Sequence, residues 1–150
     1  MANDDHIAQL MKGAAAWNAW RDENPDTRPD LFEADLRGAN LSPANFFQAN
    51  LRGADLTGAS LSGADLRHAD LIGANLNHQN LFEVSLSGAD LLGADLIGAN
   101  LGHASLNDAN LFKADLRGAN LFDAVLNGAD FSMANLSGAN LGQATMRTFS

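Results

Sequence analysis

Residues 86–101 read LSGADLLGADLIGANL, in which the five-residue pattern A-(D/N)-L-x-x recurs without a break. The same frame runs from Leu31 to Met146, where every fifth position is large and apolar: 24 positions, 21 of them leucine. Two residues before these positions, alanine fills 21 of 23 places, and Gln79 and Val84 are the exceptions. A bias this regular indicates a chain built of short structural repeats.

A period of five matches neither the 3.6-residue period of a helix nor the two-residue period of a strand. Leucines at this spacing would wind around all sides of a helix and would alternate between the two sides of a sheet. The chain must therefore turn once in every five residues, so that leucine and alanine always point inward. The polar positions, rich in Gly, Asn and Asp, then form the outer corners.

The repeat resembles the pentapeptide-repeat family, whose A-(D/N)-L-x-x units build a four-sided, right-handed β-helix. The resemblance covers residues 31–146 and implies an all-β solenoid, a right-handed quadrilateral β-helix, for a domain over 31–150. Four faces also leave room for the inward leucines, whereas three would crowd them. At four units per coil we expect about six coils and, at ~4.8 Å per layer, a rod about 29 Å long.

Residues 1–30 precede the repeat and predict an N-terminal capping helix followed by an extended lead-in. Asn3 or Asp4 can cap the start of this amphipathic helix of about four turns, which must end near Pro25. Its apolar positions fall three or four residues apart: Ile7, Leu10, Met11, Ala14 and Trp17.

The first coil of a solenoid exposes apolar side chains and unpaired backbone groups, which need a cover. We expect Trp17 and Trp20 to lie over that end; a helix that docks a partner is the alternative. The segment AWNAWRDENPDTRPDL, residues 16–31, is similar to leaders that precede pentapeptide repeats in bacterial, notably cyanobacterial, proteins. That resemblance implies no activity.

The composition narrows the function classes. A net charge of −9 disfavours nucleic acid as a partner, because a phosphate-binding surface needs an excess of Lys and Arg. The chain has no cysteine, which excludes disulfides and thiolate zinc sites. The start lacks the pattern of a secretory signal, and no apolar stretch reaches about 18 residues, so we expect a cytoplasmic protein without membrane contact.

With four faces, residues 20 apart stack in columns, and the sequence becomes a map of the surface. We number the faces by the leucine-type residue at their centre in the first coil: Leu31, Leu36, Leu41 and Phe46. Outward apolar residues that stack in such columns are candidates for a protein-interaction surface. They lie on the first face (Ile72, Leu92 and Phe112), the second (Ile97) and the third (Phe82 and Phe122).

One column on the third face carries Glu83, His103 and Asp123. Carboxylate, imidazole and carboxylate at successive layers have the chemistry of a metal site or an acid–base pair, and Ser105 lies just around the corner. The face is convex and wet, however, and nothing excludes water from it. We therefore expect a solvated charge ladder, no catalytic residue, no bound metal and no cofactor.

Aspartates recur before the central leucines of the first and second faces. Some pentapeptide-repeat proteins protect bacterial type II topoisomerases against quinolones by mimicking DNA with such columns, whereas Asp and Asn also bond nearby backbone amides at corners. Four arginines interrupt the acidic columns: Arg37, Arg52, Arg67 and Arg117.

Two functions remain. The leading one is a non-enzymatic structural and protein-interaction module acting through the surface of a solid rod; a DNA-mimicking topoisomerase binder is the alternative. Several family members dimerise through their C-terminal end, so the resemblance also implies a homodimer. Phe149 is a candidate to fold over the last coil.

Overall fold

The computed structural model describes residues 1–147, and its first part contains two helices, α1 (Asp4–Leu10) and α2 (Ala14–Glu23). The side chain of Asn3 accepts hydrogen bonds from two backbone N–H groups of the first turn of α1, as predicted. The prediction of one helix of four turns is wrong. Gly13 separates the helices at φ 108°, a conformation that glycine adopts without strain and that no α-helix can contain.

Single-residue parallel bridges hold the rest of the chain together, and each joins residues that are 20 apart. The series begins at Asp30↔Asn50 and ends at Val125↔Thr145 without a change of register. Four five-residue units therefore make one coil of a solenoid. The β structure is limited to one bridged residue in each unit, because the chain turns again before a longer strand can form.

Each unit is a tight turn closed by a backbone hydrogen bond. In a typical unit, the N–H of Ala94 donates to the carbonyl of Leu91 at 3.0 Å, and the residue between them at the outer corner, Gly93, has φ 64°. Such turns require a positive φ at their third position, which favours glycine. This requirement explains why the second residue after leucine is so often Gly.

The Asp or Asn of the repeat also has a local role. Its side-chain oxygen accepts a hydrogen bond from the backbone N–H two residues later, as Asp95 Oδ1 does from Ile97 at 3.0 Å. The same bond recurs around the rod, for example from Phe122 to Asn120 at 3.0 Å. Either side chain supplies the acceptor, so the repeat tolerates both residue types at this corner.

The axis of the solenoid is filled with the leucine and alanine side chains. From Leu31 to Leu126 every central side chain is at most 1% exposed, and the predicted inward orientation is confirmed there. Gln79 and Val84 replace alanine and are equally buried, at 2% and 0%. The interior of these coils therefore holds side chains where a ligand-binding solenoid would hold a cavity.

Side chains of α2 form hydrogen bonds with backbone groups of the first coil around Asn45 and Phe47. Trp17 is fully buried, and its Nε1 donates to the carbonyl of Asn45 at 2.8 Å. Asn18 Oδ1 accepts from the backbone N–H of Asn45 at 2.7 Å, and Arg21 donates to the carbonyl of Phe47 at 2.8 Å. In later coils the preceding coil supplies the equivalent partners, as the N–H of Phe46 does for the carbonyl of Asp65 at 2.7 Å.

The last described coil has no such cover among residues 1–147. Phe131 and Leu136 are half-buried, and Leu141 and Met146 are 41% and 52% exposed, although all four occupy the central position of their units. Phe149, the candidate cover for this end, lies outside the described residues.

Candidate protein-interaction surface

The six residues predicted to form an interaction surface lie on three faces. Ile72, Leu92 and Phe112 follow one another at 20-residue intervals on the first face, and Leu92 is 37% exposed while its two neighbours are half-buried. Ile97 lies half-buried on the adjoining second face. These four residues form one group.

Phe82 and Phe122 lie on the third face, which is opposite the first, so they form a separate group. They are 38% and 36% exposed. Each ring covers the glycine in the next coil: a Cβ at Gly102 would lie 3.3 Å from the ring of Phe82, and one at Gly142 would lie 3.2 Å from that of Phe122. Part of each ring is therefore already packed on its own rod.

The repeat turns hold the first group in place. Bonds from the backbone N–H of Ile72 to Asp70 Oδ1 (3.1 Å) and of Leu92 to Asp90 Oδ1 (3.2 Å) fix each side chain beside a carboxylate. Gly73 and Gly93 follow them, and a Cβ at either position would meet no atom within 4 Å apart from those of its neighbours in the chain. The surface beside the aliphatic side chains is therefore open to a partner.

Phe112 differs from the other members of its column. The Lys113 ammonium lies 5.3 Å from the centre of the Phe112 ring, over its face. A cation in this position is attracted by the ring and shields it from a partner. The accessible apolar surface of the first group therefore centres on Ile72, Leu92 and Ile97.

Arginines neutralise several of the corner carboxylates. Arg37, Arg67 and Arg117 each bond the aspartate two residues before them, at 2.7 or 2.8 Å. The hydrogen bond from Arg37 lowers the pKa of Asp35 to about 2, and the bond from Arg117 lowers the pKa of Asp115. The acidic columns therefore carry less free negative charge than the aspartate count suggests.

The carboxylates beside the aliphatic residues have a different environment. The triplet Asp70, Asp90 and Asp95 begins the three units of sequence D-L-(I/L)-G, and none of the three forms an ion pair within residues 1–147. Arg117 is near enough to Asp95 for the charges to interact, but its guanidinium is bonded to Asp115. Sequence reasoning missed this set, although the missing arginine two residues after each aspartate marks it.

In the third-face column, two of the three predicted members contact each other. His103 Nδ1 bonds Asp123 Oδ2 at 2.9 Å, and the imidazole packs edge-on against Phe82 at 5.2 Å between ring centres. The hydroxyl of Ser105 shares a hydrogen bond with the hydroxyl of Ser87 at 2.8 Å. Across residues 1–147, no group of three His, Asp or Glu is placed to hold a metal ion.

A cleft of about 360 Å³ lies between α1 and the first coil. Apolar side chains and three carboxylates line it: Met1, Ala2, Ile7, Phe32 and Ala34, with Asp4, Glu33 and Asp35. It is open to solvent and holds no pair of a nucleophile and a base.

Neither helix in the described part of the chain is long and apolar enough to cross a membrane.

Comparison with known proteins identifies the repeat. The family profile of pentapeptide repeats matches in eight copies, over residues 30–63, 59–92, 91–128 and 104–143. A pentapeptide repeat protein, Rfr23 from the cyanobacterium Cyanothece 51142, is 34% identical over 87% of this chain and 95% of its own, with a TM-score of 0.59. No curated protein sequence matches the chain.

Two other solved structures are more distant. HetL, a pentapeptide repeat protein involved in heterocyst differentiation regulation from the cyanobacterium Nostoc sp. strain PCC 7120, is 31% identical over 77% of this chain, with a TM-score of 0.48. The chain spans 65% of the length of HetL. QnrB1, a plasmid-mediated fluoroquinolone resistance protein, is 22% identical over 76% of this chain and 65% of its own, with a TM-score of 0.46. With both scores below 0.5, neither match carries a functional argument.

The repeat frame, the 20-residue bridges and the profile match together place this chain in the pentapeptide-repeat family.

Proposed function

We propose that the chain is a right-handed solenoid of about six coils that acts as a non-enzymatic protein-interaction module. The observation that carries the proposal is the set of outward aliphatic side chains, Ile72, Leu92 and Ile97, held on the middle coils around one corner of the rod. Phe112, Phe82 and Phe122 extend the proposed surface. The filled axis favours a function at the surface over one in an interior cavity.

The physical argument rests on what these side chains gain from a partner. An outward aliphatic residue contributes nothing to the axis of the rod, and the turn would form equally well with serine or threonine, as it does at Thr57 and Ser132. Burying such side chains under a partner is favourable by about 25 cal/mol per Å² of apolar surface. Adjacent layers concentrate this gain in one place, as the centre of an interface does.

The test is affinity capture from the native host with the parent chain and the variant Ile72→Lys/Leu92→Lys. The matched control, Thr57→Lys/Ser137→Lys, adds the same charge at exposed positions on the second face. The proposal predicts a protein that the parent and the control retain and the patch variant loses. Equal recovery of every bound protein by all three chains would contradict it.

We further propose that Trp17 and Trp20 cap the solenoid and that its far end mediates a homodimer. The support for the dimer is the exposure of Leu141 and Met146 at positions that are buried in other coils. Sedimentation equilibrium of the parent and of Leu141→Lys/Met146→Lys tests this idea. A parent chain that remains monomeric at about 100 μM, well above micromolar affinities, would reject it.

A DNA-mimicking topoisomerase binder is the second candidate. The columns of aspartate favour it, but Arg37, Arg67 and Arg117 bond the aspartates beside them and interrupt the negative surface. A supercoiling assay with bacterial gyrase separates the two functions. If micromolar protein neither inhibits gyrase nor protects it from quinolone, the DNA-mimicking function is rejected.

The cytoplasmic location stays a prediction.

A further inference from the structure

The corner aspartates from Asp35 to Asp115 fall into two sets according to the residue two positions later. In the bonded set that residue is an arginine or a threonine, which bonds the carboxylate: Arg37, Thr57, Arg67 and Arg117 do so. In the aliphatic set that residue is Ile72, Leu92 or Ile97. Between Asp35 and Asp115, only the aliphatic set combines an outward apolar side chain with a corner carboxylate that no side-chain cation bonds.

The aliphatic set is also contiguous, and with its aspartates we call it the acidic–aliphatic patch: Asp70, Ile72, Asp90, Leu92, Asp95 and Ile97. A parallel bridge joins Asp70 to Asp90, so these two units lie in adjacent coils of the first face. Asp95 follows Asp90 by one unit and lies around the corner on the second face. The patch therefore consists of three outward apolar side chains that each follow a carboxylate, with Asp70 and Asp90 in layers about 5 Å apart.

Hydrogen bonds hold these carboxylates without neutralising them. Asp90 Oδ1 accepts from the side-chain amide of Asn110 at 3.0 Å. Asp95 Oδ2 accepts from the amide of Asn77 at 3.4 Å. Amides position an acid and leave its charge in place, so the patch is a fixed arrangement of negative charge around an apolar centre.

We propose that the acidic–aliphatic patch binds a basic amphipathic helix of a partner protein. This inference rests on the proposed function and specifies its partner. Apolar side chains of the helix would lie on Ile72, Leu92 and Ile97, while flanking Lys or Arg side chains pair with Asp70, Asp90 and Asp95. Residues three and four apart on a helix are about 5–6 Å apart, close to the spacing of the coils.

Charge complementarity selects this partner over other classes. An uncharged apolar surface would bury three carboxylates without a counter-charge, which is costly. Nucleic acid and acidic helices would be repelled by these carboxylates and by the net charge of −9. A basic helix satisfies both the apolar centre and its negative surround.

The probe is a fluorescein-labelled peptide of about 18 residues, made of leucine and lysine with the leucines on one helical face. A scrambled peptide of the same composition has no apolar face. Fluorescence anisotropy at low and high salt measures Kd for each peptide. We expect the patterned peptide to bind at least about tenfold more tightly than the scrambled one, and binding to weaken as salt screens the charges.

Two triple variants locate the binding. Asp70→Asn/Asp90→Asn/Asp95→Asn removes the charges of the patch and keeps each turn acceptor, and asparagine already fills this corner elsewhere in the chain, as at Asn100. The control is Asp35→Asn/Asp65→Asn/Asp123→Asn. It makes the same change in net charge at aspartates that bond Arg37, Arg67 and His103 away from the patch.

The patch triple should weaken binding of the patterned peptide about tenfold and the control triple less than about threefold. Equal losses in the two triples, no loss in the patch triple, or equal binding of the scrambled peptide would each overturn the inference. In those cases the proposed function would still stand if the parent chain captures a host protein and Ile72→Lys/Leu92→Lys does not. The failure of the inference and the failure of the proposed function are therefore distinguishable.

Discussion

The indole Nε1 of Trp17 donates to the carbonyl of Asn45 at 2.8 Å, across the open end of the first coil. In later coils such a carbonyl accepts from the backbone of the preceding coil, as the carbonyl of Asp65 does from the N–H of Phe46 at 2.7 Å. A side chain of α2 therefore donates the hydrogen bond that the backbone of a preceding coil donates elsewhere in the rod. The ring of Trp17 also packs on Phe46, with 5.9 Å between ring centres.

This relationship predicts unequal effects of two substitutions at Trp17. Trp17→Ala removes both the packing and the hydrogen bond and should destabilise the chain by about 3–5 kcal/mol. Trp17→Phe keeps most of the packing and leaves the Asn45 carbonyl without its donor, at a cost of about 1–3 kcal/mol. Urea unfolding measures both. Equal, small losses in the two variants would show that α2 does not stabilise the coil.

The contrast between an inward and an outward position gives a second prediction. Leu96 is fully buried, and Ile97 is the next residue on the surface. Leu96→Asp places an unpaired charge in the axis, which costs several kcal/mol and should abolish cooperative unfolding. Ile97→Asp should change the free energy of unfolding by about 1 kcal/mol or less. Thermal melts that do not distinguish the variants would contradict the inward assignment.

Gln79 is the polar exception in the core, and its replacement should stabilise the chain. Its Nε2 donates to the carbonyl of Leu56, which already accepts from the backbone of Ala59 at 3.0 Å. Its Oε1 is buried without a partner. Gln79→Met keeps the volume and removes this unsatisfied acceptor, for a gain of about 1 kcal/mol. A loss of similar size on urea unfolding would show that the amide has a structural or functional role.

The paired aspartates predict how stability depends on pH. The pKa of Asp35 is lowered to about 2 from an ordinary value of about 3.9. The stabilisation from its bond to Arg37 is therefore fully present above about pH 4 and is lost as the pH falls toward 2. Asp115, whose pKa is also lowered, contributes in the same direction.

Melting temperatures between pH 6 and pH 2 test this dependence. The double variant Asp35→Asn/Asp115→Asn lacks both ion pairs and should lose less of its melting temperature across the acid range than the parent does. Asp26→Asn, at an exposed position between α2 and the first coil, is the control and should follow the parent. Parallel curves for the double variant and the parent would contradict the assignment.

Much of the fold could be predicted because a strict period leaves few alternatives. The five-residue frame gave the inward leucine and alanine, and the bridges 20 residues apart agree with the four-sided coil that the family resemblance implied. The leader has no period of this kind. Its apolar spacing runs through Gly13, so the break between α1 and α2 could not be read from hydrophobicity, nor could the use of Asn18 as a substitute for backbone.

The surface was only partly predictable. Column positions follow from the frame, which placed Ile72 and Leu92 in adjacent layers, but the exposure of a side chain depends on its neighbours. Lys113 shields Phe112, and His103 packs against Phe82. The contacts of each aspartate depend on the residue two positions later in the chain. The column positions, which relate residues 20 apart, do not contain this information.

The measurement that tests the account most directly is the reactivity of single cysteines, because the chain has none of its own. Leu91 is fully buried and Leu92, its neighbour, is 37% exposed. Leu92→Cys should react with a thiol reagent in the native state, and Leu91→Cys should react only after denaturant unfolds the rod. Rapid native labelling of Leu91→Cys, or equal protection of the two, would contradict the filled axis on which the surface map depends.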